Sequence, residues 1–151
     1  VRTPSESRES GDLAEHVSEQ FREKLRTEVE TAEANLERRE TADIAIAVLD
    51  ADAYAHRFDF PPTGLLLDEI HRRHRTDEGT SITVGVEADE LYVRSSADVD
   101  VRAAAERAGE RVPNAGIESV GVREGRVAFL SGERESVVDA VIRAVVEQIT
   151  D

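Results

Sequence analysis

The stretch that decides the fold is residues 91–101, which reads Leu-Tyr-Val-Arg-Ser-Ser-Ala-Asp-Val-Asp-Val. Apolar and polar side chains alternate in its first four residues, as they do in a strand with one apolar face. Serine and aspartate then follow, and these residues are typical of the N-cap of a helix. The stretch therefore predicts a strand that ends at Arg-Ser-Ser and a helix over about residues 101–111, capped by Asp98 or Asp100.

The segments on either side of this stretch have the periods of further strands and helices. Ile82, Val84 and Val86 stand at every second position and predict a hairpin partner for the strand that follows them. The other predicted elements are a buried strand over 42–49, a helix over 63–75, a hairpin over 117–130 and a helix over 133–149. We therefore predict an α/β fold with a small mixed β-sheet of about five strands and packed helices, preceded by a long N-terminal helix.

The N-terminal part of the chain divides into a polar tail and this long helix. Residues 1–11 have no apolar period and are predicted to be a disordered tail or linker. Apolar residues then recur mostly at every fourth position, which predicts a linker helix over 12–41 and an α/β domain over 42–151. The apolar stripe consists of Leu13, Val17, Phe21, Leu25, Val29, Ala32 and Leu36. This 13–36 helix would bury its stripe against its own domain, a missing domain, a second copy or another protein partner.

The composition is strongly acidic and nearly free of lysine. Asp and Glu number 33 against 19 Lys and Arg, the formal charge is −14, and Lys24 is the single lysine. Arginine keeps making bidentate pairs with carboxylates at high salt, so we interpret the chain as a haloarchaeal, cytoplasmic protein. An ordinary acidic cytosolic protein is the alternative. The lack of cysteine excludes disulfides and thiolate chemistry, and no stretch is long and apolar enough for a membrane span.

The order of Arg-Ser-Ser, Asp-Val-Asp-Val and an alanine-rich helix resembles the DHH-associated domain, which follows the catalytic DHH domain in RecJ-like exonucleases and small phosphodiesterases. The resemblance covers about residues 42–149, and the long helix before them is similar to the linker between the two domains. It implies that Arg94 and Ser95 hold the nucleic-acid or phosphate end of a substrate, together with a Gly-Gly-Gly-His loop. By the family's pattern, the catalytic half would lie before residue 1 and would use Mn²⁺ or Mg²⁺.

The Gly-Gly-Gly-His loop of that family is degenerate in this sequence. Its expected position, residues 118–125, keeps Gly121 and Gly125, and Val122 stands about where the histidine belongs. A valine side chain can neither donate a hydrogen bond nor bind a metal. Arg123 is then a candidate electrostatic substitute for the lost histidine.

The residues around Arg94 supply groups that phosphates and bases can use. Arg94 offers a fork of N–H donors for phosphate, and Tyr92 offers a ring on which a base can stack. Ser95 and Ser96 offer hydroxyl and backbone N–H groups beside a helix N-terminus. The structural alternative is that Arg94 pairs with one of the aspartates that follow it, while the serines only cap the helix.

A second cluster of cations lies at the end of the helix predicted over 63–75. We predict a basic patch for a nucleic-acid backbone, formed by Arg57, Arg72, Arg73 and Arg75. The alternative is a set of solvated cations favoured by the dipole at a helix C-terminus. His71 and His74 share one face of this helix, but two further ligands for zinc are missing, so we expect no metal site in the chain.

These observations predict a substrate-binding accessory domain for single-stranded nucleic acid or a phosphate substrate, with no catalytic residues and no cofactor of its own. We can assign neither a nucleophile–base pair nor a metal-ligand cluster that would make the chain an enzyme by itself. The parent protein is predicted to be a DHH-family phosphoesterase or exonuclease. The alternative is a non-catalytic, RecJ-related protein-interaction module in a DNA replication or repair assembly, which the degenerate loop favours.

The acidic composition predicts that the chain folds only at high ionic strength. At a formal charge of −14 the carboxylates repel one another, and molar salt screens this repulsion because the Debye length falls to about 3 Å. We expect the circular dichroism spectrum of a folded α/β protein in molar KCl and that of an unfolded chain at low salt. A chain that is fully folded at low salt would contradict the halophilic interpretation.

Overall fold

The computed structural model describes residues 4–51, 63–75, 79–120 and 125–150, with side chains described from residue 18 onwards. The helices are α1 (Pro4–Glu33), α2 (Thr63–His74), α3 (Val101–Arg111) and α4 (Arg134–Thr150). The strands are β1 (Glu37–Thr41), β2 (Ile44–Asp50), β3 (Thr80–Val86), β4 (Glu90–Ser95), β5 (Glu118–Val120) and β6 (Arg126–Ala128). The predicted α/β class is confirmed. None of the described helices is long and apolar enough to cross a membrane.

The six described strands form one mixed sheet in the order β1-β2-β3-β4-β6-β5. Strands β2 and β3 pair in parallel, and the other neighbours pair antiparallel. The sheet has one strand more than the five or so predicted, and the additional strand is β1. The two hairpins predicted around residues 82–93 and 117–130 are present as β3-β4 and β5-β6.

One face of the sheet is covered by α3 and α4 and holds the larger hydrophobic core. Leu91 and Val93 of β4 point into this core, as their alternation predicts, and both are buried. The face of α3 that meets the core is made of Ala104, Ala105 and Ala108. Small side chains permit a close approach of the helix, and α4 fills the remaining space with five buried residues of larger volume. These are Val137, Val138, Val141, Ile142 and Val145.

The opposite face of the sheet is covered by α2 and by the last turns of α1. A smaller cluster of buried residues joins them, consisting of Val29, Ala32, Leu49, Leu66 and Ile70. Strand β3 presents Gly85 to this side, and Leu67 of α2 packs closely on it. A Cβ added to Gly85 would lie 3.1 Å from Cδ1 of Leu67. Both faces of the central strands are therefore buried, and the residues of β4 that alternate with Leu91 and Val93 lie beneath α2.

The bounds of the long helix differ from those predicted from the sequence. The helix begins at Pro4, so residues 4–11, which we expected to be a tail, form its first turns, and proline suits the first position of a helix. It ends at Glu33 rather than near residue 41, and residues 37–41 form an edge strand instead. This strand reads Glu-Arg-Arg-Glu-Thr and carries no apolar alternation. Its pairing with β2 decides its conformation, and a charged edge protects the sheet from further pairing.

The turn between β1 and β2 places an alanine in a strained conformation. Thr41 pairs with Ile44, so the loop consists of Ala42 and Asp43, whose φ angles are 47° and 63°. Positive φ at both positions is the geometry of a type I′ hairpin turn, which asparagine, aspartate and glycine favour. Aspartate tolerates this left-handed region, whereas an alanine there costs about 1–2 kcal/mol.

We expect the substitution Ala42→Asn to stabilise the domain by about 0.5–1 kcal/mol, because asparagine adopts the left-handed conformation more readily. The free energy of unfolding is measured by urea titration at constant KCl, followed by circular dichroism. Ala42→Val is the matched control and should lower stability, since a β-branched residue is less tolerant of positive φ. Equal stability of the two variants would contradict a type I′ turn at this position.

Candidate functional site

A cleft of about 990 Å³ opens at the carboxyl end of β4. Arg94 of β4 and Asp68 of α2 lie side by side on its wall. The remaining wall comes from two further residues of β4, the loop that enters α3, the first turn of that helix, one residue of β5 and the residue before β6. These residues are Val93, Ser95, Ala97, Asp98, Val99, Asp100, Val101, Arg102, Ser119 and Gly125. The stretch that the sequence singled out therefore forms most of the described cleft wall.

Arg94 lies on the α2 side of the sheet and is only 22% exposed. Its Nε donates a hydrogen bond of 2.5 Å to Oδ1 of Asp68. Its Nη1 donates to the backbone oxygen of Val93 at 3.1 Å. The predicted alternative of an ion pair with Asp98 or Asp100 is corrected, because helix α2 brings a carboxylate from 26 residues earlier in the chain. Arg94 also does not belong to an edge strand, since β4 lies between β3 and β6.

Gly125 packs directly against β4 at Arg94. Its backbone oxygen accepts a hydrogen bond of 2.8 Å from the N–H of Val93. Its φ is +58°, and an added Cβ would lie 2.5 Å from the oxygen of Val93 and 3.3 Å from Nη1 of Arg94. The position therefore requires glycine. The expected meeting of the Arg-Ser strand with the remnant of the glycine loop is present at this contact.

The two serines hold the end of β4 in place. Oγ of Ser96 accepts a hydrogen bond of 2.8 Å from the N–H of Ser81, and the N–H of Ser96 donates to the oxygen of Ser81 at 2.9 Å. Oγ of Ser95 accepts from the N–H of Ala97 at 3.1 Å. Ser96 thus ties β4 to β3, while Ser95 stabilises the turn at the cleft wall. Of the two, Ser95 lines the cleft.

The N-terminus of α3 is fixed from two sides. The Asp100 side chain accepts a hydrogen bond of 3.1 Å from the N–H of Ala103, so Asp100 rather than Asp98 is the N-cap. Gln148 of α4 accepts from the N–H of Asp100 and donates to its backbone oxygen, both at 2.8 Å. This clamp sets where the first turn of α3 lies relative to Arg94.

Tyr92 shares the face of Arg94, as predicted, but is half-buried and does not line the cleft. An added Cβ on Gly64, in the first turn of α2, would lie 3.9 Å from its Cε1. Burial raises the pKa of the Tyr92 phenol, the carboxylates of Glu87 and Glu90 raise it further, and Arg126 opposes them. The ring therefore carries a neutral hydroxyl at physiological pH.

His71 of α2 adds no positive charge beside Arg94 near neutral pH. Burial lowers the pKa of its imidazole, and the nearby guanidinium groups of Arg75 and Arg94 lower it further. Its Nδ1 lies 3.0 Å from Oγ1 of Thr83 on the neighbouring strand. The histidine acts as a partly buried polar contact between α2 and the sheet.

The predicted basic patch is largely neutralised where the structure describes it. Arg72 pairs with Glu69 at 2.7 Å, and Arg73 pairs with Glu33 of α1 at 2.8 Å. Arg75 is exposed at the end of α2. Arg57, the fourth member, lies outside the described residues, as do two site residues predicted from the loop, Gly121 and Arg123.

Among the described residues, no group of three or more His, Asp or Glu side chains is arranged to hold a metal ion. Asp50, at the end of β2, forms an ion pair of 2.6 Å with Arg134 at the start of α4. The carboxylate of Asp50 therefore contacts α4 from the end of β2.

Sequence reasoning missed the residues that surround Arg94 from elsewhere in the chain. Asp68, Gly64 and Gln148 reach the site only through tertiary packing. Asp68 and Gly64 are four residues apart and share one face of α2, which was a clue that both meet the same neighbour. Nothing in the sequence indicated that this neighbour is Arg94.

We expect Gly125→Ala to destabilise the domain by about 1–2 kcal/mol or more, because an alanine is strained at positive φ and its Cβ would collide with the Val93 oxygen. Gly64→Ala is the matched control. Its Cβ would lie 3.5 Å from Nη2 of Arg94, an ordinary contact, so stability should change by less than about 1 kcal/mol. Urea titrations of both variants at one KCl concentration give the comparison. Equal losses would contradict the close approach of Gly125 to β4.

The fold is similar to a solved structure described as the DHH domain of a member of the s1p family of ribosomal proteins, with a TM-score of 0.79. The sequence identity is 23%, and the match covers 89% of this chain. This chain spans only 33% of the length of that protein. No family model and no curated protein matches the chain. The likeness shows the fold alone, and on this basis the chain has a DHH-type fold.

Proposed function

We propose that this chain is an accessory domain that binds single-stranded nucleic acid, or the phosphate end of a smaller substrate, for a RecJ-like exonuclease or phosphoesterase. The observation that carries the proposal is the position of Arg94. This half-buried guanidinium lies at a cleft together with Gly125, Ser95 and the first turn of α3. A guanidinium and N–H donors at a helix N-terminus are the groups that proteins use to bind phosphate oxygens.

The proposal places binding in this chain and hydrolysis in another part of the parent protein. The described residues offer anion-binding groups but no ligand set for paired metal ions. Mn²⁺ or Mg²⁺ would be bound by the parent's catalytic DHH domain, and the complete protein would act on cytoplasmic nucleic acid. The match covers 33% of the similar solved chain, and this supports a domain that works beside a larger partner domain.

The charge of the surroundings limits how such a ligand can bind. The chain carries a formal charge of −14, so a polyanion is repelled at long range and gains affinity only from close contacts. The Arg94 contact is then expected to supply much of the binding energy, because a hydrogen bond to a charged group contributes about 1.5–3 kcal/mol. A strand bound through its end exposes fewer phosphates to repulsion than one bound along its length.

We expect Arg94→Ala to weaken the binding of a short labelled single strand about tenfold or more, because one charge-assisted contact is lost. Fluorescence anisotropy at a KCl concentration where circular dichroism shows a folded chain measures the dissociation constant. Ser95→Ala should cost less, since it removes one neutral partner. The fold should survive, because the Arg94–Asp68 pair is partly exposed and contributes about 1 kcal/mol or less.

Arg38→Ala is the matched control for Arg94→Ala. Arg38 is exposed on β1, at the other edge of the sheet from the cleft, and its removal changes the net charge by the same amount. Its effect on binding should stay within about twofold, as expected for a remote, screened charge. Equal losses in the two variants, or no binding by the wild-type chain at any salt where it is folded, would reject the proposal.

A protein-interaction module in a DNA replication or repair assembly is the second candidate, and helix α1 favours it. The described side chains from residue 18 to residue 28 are mostly exposed, and Phe21 is 43% exposed on the predicted apolar stripe. Among the described side chains of α1, the buried ones are Val29 and Ala32 in its last turns, and they pack against α2. If the anisotropy experiment shows no binding of nucleic acid through Arg94, we propose that the chain acts by binding a protein partner through this helix.

A further inference from the structure

We propose that Asp68 competes with the phosphate ligand for Arg94. Its carboxylate is hydrogen bonded to the guanidinium group until a phosphate displaces it. The inference rests on the proposed function. Oδ1 of Asp68 accepts the hydrogen bond from Nε of Arg94 at 2.5 Å, and both side chains line the same cleft. Carboxylate and phosphate oxygens use the same guanidinium N–H groups, so a phosphate at this edge of Arg94 and Asp68 exclude each other.

Exposure shows which half of the pair can move. Arg94 is 22% exposed, and its Nη1 is hydrogen bonded to the oxygen of Val93 beside Gly125. Asp68 is 57% exposed. A solvated carboxylate that leaves Arg94 exchanges one hydrogen bond for others with water, at little net cost. Moving Arg94 would instead break its backbone contact and empty a half-buried space, so Asp68 is the half that yields.

The charges of the cleft wall determine how strongly Asp68 affects the binding of a phosphate. The described wall carries three carboxylates, those of Asp68, Asp98 and Asp100, against the guanidinium groups of Arg94 and Arg102. When Asp68 turns away, two carboxylates face two guanidinium groups. An approaching phosphate therefore gains both the donor group on Arg94 and relief from the nearest like charge. A ligand without a strongly charged end does not displace Asp68, and this makes the residue a filter for phosphate.

We expect Asp68→Asn to bind a short labelled single strand about three- to tenfold more tightly than the wild-type chain, because a partly exposed ion pair and a like charge are removed. The full chain is measured by fluorescence anisotropy at one KCl concentration where it is folded. The gain should shrink as KCl is raised. Competition by an unlabelled dinucleotide and by an unlabelled longer strand distinguishes a small phosphate substrate from nucleic acid as the ligand.

Glu69→Gln is the matched control, because it removes the same charge from the next residue of α2, whose partner is Arg72 and not Arg94. Its dissociation constant should stay within about twofold of the wild-type value. In the double variant Arg94→Ala/Asp68→Asn, the gain from Asp68→Asn should disappear. Circular dichroism of each variant confirms that the fold is retained.

The outcomes separate this inference from the proposed function. If the wild-type chain binds through Arg94 and Asp68→Asn binds no better than Glu69→Gln, Asp68 contributes only net charge and the inference is overturned while the function stands. Weaker binding by Asp68→Asn would make Asp68 a positioning residue and would also overturn it. If neither the wild-type chain nor Asp68→Asn binds a strand or a dinucleotide, the proposed function itself fails.

Discussion

The parallel pairing of β2 with β3 is the constraint on which the rest of the molecule depends. Two adjacent parallel strands cannot be joined by a tight turn, so the chain between Asp50 and Thr80 has to return along one face of the sheet. Helix α2 lies in this return and buries Leu66, Leu67 and Ile70 against that face. Because α2 lies there, Arg94 is covered instead of exposed, and a carboxylate of α2 comes within hydrogen-bonding distance of it.

Strand β4 joins the hydrophobic core to the site. Its Leu91 and Val93 side chains are buried against α3 and α4, and its Tyr92 and Arg94 side chains lie under α2. The backbone of Val93 also donates to Gly125 and accepts from Arg94. The packing of one face thus fixes the position of the guanidinium on the other, since a functional group is held most firmly by a rigid element that is packed on both sides.

Many of the arginines form ion pairs that connect separate elements of the structure. Arg39 contacts both Glu37 and Asp139, and Glu147 is approached by Arg107, Arg111 and Arg143. One guanidinium group can serve two carboxylates, or share one with other arginines, because its donors form a planar fork. These pairs link β1 to α4 and α3 to α4, so the charges of the surface also join separate elements. Each pair is partly exposed and therefore individually weak.

Much of the architecture could be predicted because local patterns dominate it. Residues 91–101 specify a strand, a turn and the capped start of α3, and the apolar spacing of α2 and α4 was sufficient to place both helices. The failures lie where local patterns are weak. Strand β1 is a charged segment whose conformation comes from pairing with β2. The end of α1 could not be predicted, because the charged residues that follow it show neither a helical nor an extended apolar period.

The sequence by itself determined the period of each apolar segment, the pair of aspartates that can cap α3 and the acidic surface, because these depend on composition or on residues close together in the chain. It also determined that Arg94 and Tyr92 share one face of β4. Only the tertiary structure decided what Arg94 meets. Its partner stands 26 residues earlier, and which carboxylate reaches a given arginine depends on how α2 crosses the sheet, a consequence of packing that no local pattern encodes.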